Sequence, residues 1–593
     1  MQTYTAPLRD MRFVLHELHA ASSLPGMEEF TPDLMDTILE EAGKFCSEVL
    51  LPINASGDEE GCHFENGVVR TPKGFKNAYK AFNEGGWGSL SSDPAYGGQG
   101  LPETIAKLVE EMICASNLSF GLYPGLTHGA YLALKSHGSE ELKNFYLPKM
   151  VSGEWAGTMC LTEPHCGTDL GLLRTKAVPQ EDGSYKITGS KIFISAGEHD
   201  LSDNIIHLVL ARLPDAPAGV KGISLFLVPK FLPDANGAPG ERNGASCAAI
   251  EHKMGIKASA TCQMNFDDAK GWIVGAPNKG MQAMFVMMNS ERLSVGTQGL
   301  GVGEAAYQGA VAYARDRVQG RSLAGAKYPE KPADPIIVHP DIRRNLMTMR
   351  AYNEGCRAMG LWVASMMDVA ERTTDQAAKV AAEDFVALLT PVVKALFTDM
   401  GFESANLAVQ TYGGHGYIRD HGMEQLVRDA RIAMIYEGTN GVQALDLVGR
   451  KMPANMGRGL RRFFHPVAEF IEANKEDPSI GKMVQGLERA FGALQMATGL
   501  VAQKSMKDPE EAGAAATDYL RLFGLVALGF MWMRMAKIAA AEVTKPGPDQ
   551  AFYTNKLATA RFFIERILPQ AGALFFTIKA GKTSLMAMSD DAF

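Results

Sequence analysis

The chain has 593 residues, 46% of them hydrophobic and 21% charged, which is long enough for several packed units and ordinary for a globular protein. A formal net charge of −9 argues against nucleic acid or an anionic membrane surface as the main partner. The eight cysteines are scattered without a CxxC pair, so neither a zinc site nor a disulfide framework is indicated, and a reducing, cytoplasmic setting fits.

The first ten residues, M-Q-T-Y-T-A-P-L-R-D, carry no apolar signal core. Residues 1–155 read as a helical domain. Thr31-Pro32 combines a capping residue with proline at the first helical position, and Leu34, Ile38, Phe45 and Val49 recur at helical spacing as the expected buried face. A second helical run covers Ile105 to Cys114, and Tyr146-Leu147-Pro148 is expected to end the last helix of the block. Residues 156–280 change character. Short β-rich runs at Tyr185 to Ser195, Ile205 to Leu213 and Gly222 to Lys230, with a weaker one at Cys262 to Phe266, are separated by turn residues. No long helix intervenes, so an antiparallel β-domain is expected rather than a parallel sheet. No G-x-G-x-x-G follows a strand, which argues against a nicotinamide-binding fold.

Helical periodicity returns in residues 281–450, a bundle in which Arg292 to Arg317 reads as one long helix. Small residues at Gly299, Gly301 and Gly303 would let a neighbour approach closely. Residues 451–593 read as an additional C-terminal helical domain, broken at Lys545-Pro546-Gly547-Pro548. Its apolar run from Leu522 to Met533 is too short to span a bilayer and reads as a buried helix, so no membrane span is expected. The fold class is therefore mainly α with a central β-domain.

Chemistry is suggested by separated segments. Glu437 lies in Ile435-Tyr436-Glu437-Gly438-Thr439, between an aromatic ring and a glycine that leaves room for a ligand. Upstream stand Leu161-Thr162-Glu163-Pro164 with Gly167-Thr168-Asp169, then Lys191-Ile192-Phe193-Ile194-Ser195, Glu251-His252-Lys253-Met254-Gly255-Ile256 and Tyr313-Ala314-Arg315-Asp316-Arg317. Taken alone, Phe193 reads as a core aromatic on a strand and Arg317 as a solvated helix charge. In this order, the segments together resemble the signatures of the acyl-CoA dehydrogenase family. The long tail, Glu163 to Asp169 and Ala196 to Leu201 look most like its extended members.

The resemblance implies an FAD-dependent α,β-dehydrogenation of an acyl-CoA thioester. The substrate would be a fatty acyl-CoA or 3-methylmercaptopropionyl-CoA, with an electron-transferring flavoprotein as acceptor. An oxygen-using oxidase and a flavoprotein assembly protein are the rival readings. By the resemblance, Glu437 is the base that removes the α-proton. Leu161, Thr162, Phe193 and Ser195 would contact the flavin ring, and Arg317 and Gln319 its pyrophosphate from the neighbouring subunit. Gln410, Gly413, Gly414, Thr439 and Gly441 would complete the adenine side. Thr168 is placed near both cofactor and coenzyme A arm, with Glu291, Arg292, Tyr436 and Gly438 on the substrate. Glu291 stands where a minority of the family carries its base, so two carboxylates compete for that role, or Glu291 is an ordinary ion-pairing residue. His165-Cys166 replaces the usual Gly-Ala, and His165 is either structural or a titrating group beside the flavin. A homodimer is implied, with the tail covering the face that shorter members use to form tetramers.

Overall fold

The computed structural model describes residues 2–234 and 236–593. Two compact units emerge: one comprises Met1–Glu41, Glu103–Glu111 and Val295–Phe593, the other Ala42–Pro102 and Met112–Ser294.

The second unit carries the β-structure. Strands β1 (His63–Glu65) and β2 (Val68–Arg70) form a hairpin. Next come β3 (Trp155–Cys160), β4 (Lys176–Pro179), β5 (Tyr185–Ser195), β6 (Asn204–Arg212) and β7 (Ile223–Pro229). A small pair, β8 (Phe231–Pro233) and β9 (Pro239–Arg242), precedes β10 (Ala245–Ile250) and β11 (Thr261–Val274). The main sheet runs β10-β11-β5-β4-β6-β3, and β7 pairs with both β11 and β6, so β11, β5, β4, β6 and β7 close into a ring. Its interior holds Ile187, Ile194, Val209, Phe226, Val228, Met264 and Phe266. Strands β6 and β7 are buried on both faces, which is why they read as unbroken apolar runs.

The sheet is mainly antiparallel, as the sequence suggests, but β3 and β4 each pair with β6 in parallel. β5 has the expected bounds, β6 and β7 differ by single residues at their ends, and the weak run lies at the start of the long strand β11. Strands β3, β4 and β10 escape a propensity reading because they are short and rich in Ala, Gly, Lys and Cys.

Two expectations about helices are corrected. The helix Pro32–Phe45 starts at its predicted cap, with the Leu34 amide donating to Thr31 Oγ1 at 3.3 Å. Its buried positions, however, are Met35, Leu39 and Ala42, continued by Cys46 and Leu50, while Leu34 is exposed and Ile38, Phe45 and Val49 are half-buried. The predicted face is displaced by one residue, because apolar side chains flank the true stripe as well as forming it. Pro148 does not end its helix either. It sits inside Glu140–Val151, where it removes one backbone donor and the helix runs on to Val151.

The first unit is helical. Its part of the helix Gly280–Asp316, from Val295 on, and the helix Gln376–Tyr412 touch through their backbones at the predicted glycines. A methyl group added at Gly299 would lie 2.5 Å from the Phe397 carbonyl oxygen, and one at Gly401 would lie 2.1 Å from that of Gly299. Gly303 is similarly constrained by Asn353, and Gly301 is buried. The tail supplies Arg458–Asn474, Gly481–Ser505, Pro509–Glu542, Gln550–Phe562 and Gln570–Ala580. Among the described residues, Pro509–Glu542 alone is long and apolar enough to cross a membrane, and 83% of its most apolar window is buried inside the protein.

A buried charge cluster joins the two ends of the chain. Arg357, within the helix Pro340–Arg372, is enclosed by carboxylates: its Nε is 3.0 Å from Glu111 Oε1, its Nη1 2.5 Å from Asp10 and its Nη2 2.9 Å from Glu304. Lys556, from the tail, is fully buried between Asp10 and Glu354, at 2.7 Å from the latter. Burial would raise the pKa of Asp10, but Lys556 and Arg357 hold it below its usual value. Glu111 is pushed up to about 7 by burial, against the pull of Arg357. The tail is further sewn in by Trp532 Nε1, which donates to the Ala351 carbonyl at 3.1 Å, and by Arg9 stacking over Phe552 at 4.1 Å.

Replacing Lys556 by Met leaves the Asp10 and Glu354 carboxylates short of counter-charge in an apolar setting. We expect a loss of about 3–5 kcal/mol, read from urea unfolding. A change under about 1 kcal/mol would show that this cluster does not hold the tail.

Candidate active site

The turn that carries Glu437 lies between a short 3₁₀ turn, Ile432–Met434, and the helix Asn440–Asp446. Glu437 and Gly438 are both left-handed, with φ of 57° and 81°. Glycine adopts that backbone freely; glutamate does so only where its surroundings compel it. Asn440 provides the restraint. Its Nδ2 donates to Asp399 Oδ1 at 2.7 Å and Thr398 Oγ1 at 3.0 Å, and its Oδ1 accepts from the buried Lys394 Nζ at 2.9 Å. Buried Gln443 reaches back and donates to the Gly438 carbonyl at 3.0 Å. The Tyr436 hydroxyl donates to Gln298 on the long helix. Glu437 itself is half-buried.

Around the glycine-rich turn there is open room. Methyl groups added at Gly413, Gly414 or Gly441 would meet nothing within 4 Å, and Gln410 and Thr439 are exposed. Gly413 ends the helix Gln376–Tyr412 with a φ of 59°. Tyr313 stacks on Tyr412 at 4.0 Å, and its hydroxyl lies 2.8 Å from His415 Nδ1. Arg317 and Gln319 are exposed neighbours, with Arg317 Nη2 3.4 Å from Gln319 Oε1. The loop behind them is organised by Asp334. Its carboxylate accepts from the amides of Tyr328 at 2.8 Å and Ser322 at 2.9 Å, and its carbonyl accepts from the Gln319 amide at 2.9 Å. Backbone donors, the Ser322 amide foremost, hold the Asp334 carboxyl down to about 2.

The other predicted residues belong to the second unit. Leu161 and Thr162 follow β3 directly, and the Thr162 carbonyl accepts from the Ile192 amide of β5 at 2.9 Å. Strand alternation puts Ile187, Gly189 and Lys191 on the inner face, so a regular strand would bury Phe193 as well. Instead, the β5–β11 register slips between Lys191 and Ile194. This bulge gives Phe193 a φ of 58° and turns its ring out to 60% exposure, while Ile194 takes the inner position. The reading of Phe193 as a core aromatic is thereby overturned. Ser195 stands beyond the bulge, opposite Thr261.

Thr168 is exposed at the far end of the loop. Glu291 and Arg292 are buried rather than on a solvated face; a methyl group at Gly129 would come 2.5 Å from Glu291 Oε1, so the carboxylate needs a glycine there. His165 Nε2 donates to the Leu172 carbonyl at 2.9 Å, which is the structural alternative for this residue.

Sequence reasoning passed over Glu163 and Lys191, buried in contact at 2.9 Å, and over Asn440, Gln443 and Asp334. A lysine in an otherwise apolar inward phase of β5 was a legible signal for the pair. The remaining three hold backbone, and nothing in their spacing marks them.

Each unit by itself carries groups that suit part of a flavin dinucleotide: in the second the exposed ring at the bulge, and in the first the free space at the three glycines and the exposed Arg317–Gln319 pair. Four family descriptions match the chain: acyl-CoA dehydrogenase N-terminal domain at residues 33–154, middle domain at 158–269, C-terminal domain at 278–452, and acetyl-CoA dehydrogenase C-terminal like at 463–589. The chain belongs to the acyl-CoA dehydrogenase family, whose cofactor is FAD. It is 43% identical over 595 residues to the 3-methylmercaptopropionyl-CoA dehydrogenase of Ruegeria pomeroyi, across 99% of this chain and 100% of that protein. It is 35% identical over 618 residues to the broad-specificity linear acyl-CoA dehydrogenase FadE5 of Mycobacterium tuberculosis, covering 100% of both. The fold is shared with an acyl-CoA dehydrogenase from Bacillus anthracis solved in complex with FAD, at a TM-score of 0.75 and 21% identity over 96% of this chain and 91% of that one.

Phe193→Gly separates strain from binding. The left-handed backbone costs a non-glycine residue about 1 kcal/mol, and the exposed ring buries little in return. The FAD-free protein should therefore gain stability in thermal unfolding while FAD affinity falls. A destabilised apoprotein would mean that the ring packs as a core residue.

Proposed function

We propose that this protein oxidises an acyl-CoA thioester to the 2-enoyl-CoA, with Glu437 as the base. The observation that carries this assignment is the enforced left-handed turn at Glu437, held by Asn440 and Gln443 of the helix that follows it. Strain of this kind persists where it is held in place, and it aims one carboxylate from a fixed backbone. Bound FAD would supply the acceptor for the β-hydrogen.

The chain's own residues do the rest. Glu437 takes the α-proton at its carboxylate, and its backbone N–H donates to the thioester oxygen, where negative charge develops as the proton leaves. Tyr436, Gly438 and Glu291 contact the substrate, and Thr168 and Arg292 serve the coenzyme A side. Leu161, Thr162, Phe193 and Ser195 hold the flavin ring. Gln410, Gly413, Gly414, Thr439 and Gly441 hold the adenine side. Arg317 and Gln319 reach a partner subunit's cofactor in a homodimer; their exposure supports this, as does the planar fit of a guanidinium to phosphate. The chain is read as four functional segments, 1–155, 156–280, 281–450 and 451–593. An electron-transferring flavoprotein is the proposed acceptor, and eight free thiols support a cytoplasmic setting. Linear thioesters, including 3-methylmercaptopropionyl-CoA, are the proposed substrates, because the two relatives described above are named for them.

The test compares Glu437→Gln with Glu291→Gln in single-turnover flavin bleaching after mixing with acyl-CoA. Loss of the base should slow bleaching roughly 10²- to 10⁴-fold with FAD content unchanged. Glu291→Gln should chiefly alter substrate affinity. Fast bleaching in the Glu437 variant and none in the Glu291 variant would move the base to the long helix.

A further inference from the structure

The Glu163–Lys191 pair has no part in the proton chemistry above, yet among the described residues of the β unit it is the most completely enclosed charge pair. The Lys191 side chain is fully buried, and Glu163 is 3% exposed. Lys191 Nζ donates to two acceptors, the Leu161 carbonyl and Glu163 Oε1, each at 2.9 Å. Glu163 Oε1 also accepts from the Thr175 amide at 3.0 Å and its hydroxyl at 2.6 Å, while Oε2 accepts from the Arg174 amide at 2.7 Å. Burial would raise the Glu163 pKa, but the Lys191 ammonium and these donors hold it below its usual value. The same three donor atoms of Glu163, His165 and Cys166 lie within 4.8 Å of one another, but a cation has no claim on them. Both Glu163 oxygens are committed, and the His165 nitrogen on that side donates to the Leu172 carbonyl.

A buried ion pair is a weak source of stability, since desolvation offsets most of the attraction. What this pair fixes is position. Through Leu161 it ties the loop Leu161–Asp169 to β5, at the residue from which the bulge turns Phe193 outward. We propose that Glu163 and Lys191 are positioning residues for the flavin edge: they lock loop to strand, and their balanced charges help set how readily the bound flavin accepts electrons. The proposal rests on the flavin-site reading given above.

Its test is the reduction potential of the bound flavin, which a purely structural pair would not shift in a charge-dependent direction. Lys191→Met leaves a carboxylate unpaired, and reduction of the flavin should become at least tenfold less favourable, about 30 mV for a two-electron couple. Glu163→Gln leaves an ammonium unpaired, and reduction should become at least tenfold more favourable. Shifts of the same sign, or none, would overturn the proposal. If the single variants do not fold or retain flavin, the double variant decides, because removing both partners avoids an uncompensated buried charge. It should melt near the parent temperature without FAD, yet bind FAD at least tenfold more weakly, having lost the bond to the Leu161 carbonyl. Parent-like FAD affinity would overturn the proposal. A parent protein that binds no FAD at all would instead overturn the flavin-site reading.

Discussion

A guanidinium taken out of water must keep its carboxylates, and in this protein that requirement gathers four distant parts of the chain. Arg357 reaches Asp10 near the start, Glu111 and Glu304 in two long helices, and, through Asp10 and Glu354, Lys556 in the tail. None of these groups can move far without stranding a charge in an apolar interior. The C-terminal extension therefore shares one compact unit with the bundle rather than standing apart from it. The same helix that holds Glu304 continues from the glycine crossing at Gly299, where it meets the helix Gln376–Tyr412 backbone to backbone. That second helix supplies Lys394, Ala395, Thr398 and Asp399, the groups that clamp Asn440 behind the turn carrying Glu437.

Strained backbone occurs in both units at residues proposed for the site. Glu437 and Phe193 are non-glycine residues with left-handed backbones, and each is held there by defined partners, a side-chain clamp in one case and a strand bulge in the other. A carboxylate fixed by its own backbone, and an aromatic ring turned away from the core it would otherwise fill, are costly arrangements for a fold and useful ones for a site.

Much of this was legible in the sequence. The helical, β and helical succession follows from changes in periodicity, and β5 could be bounded because its alternating run is flanked by turn residues. The motif glycines were legible too, since a glycine beside a functional residue announces room. Two kinds of information were not. The bulge at Phe193 depends on the register between β5 and β11, a relation between segments about seventy residues apart, and alternation along β5 alone points to the opposite face. The buried face of Pro32–Phe45 was misplaced by one position, because helical spacing fixes a period but not its phase when apolar residues flank the stripe. Charge clusters such as that of Arg357 are invisible for a related reason: each member looks like an ordinary surface residue until the fold brings the others to it.

The activity proposed for this chain is the dehydrogenation of an acyl-CoA thioester. Anaerobic mixing of the FAD-loaded protein with linear acyl-CoA thioesters, including 3-methylmercaptopropionyl-CoA, tests it most directly. Bleaching of the flavin absorbance with formation of about one 2-enoyl-CoA per flavin is the predicted result. A flavin that stays oxidised with every thioester, in a protein that binds them, would contradict the claim.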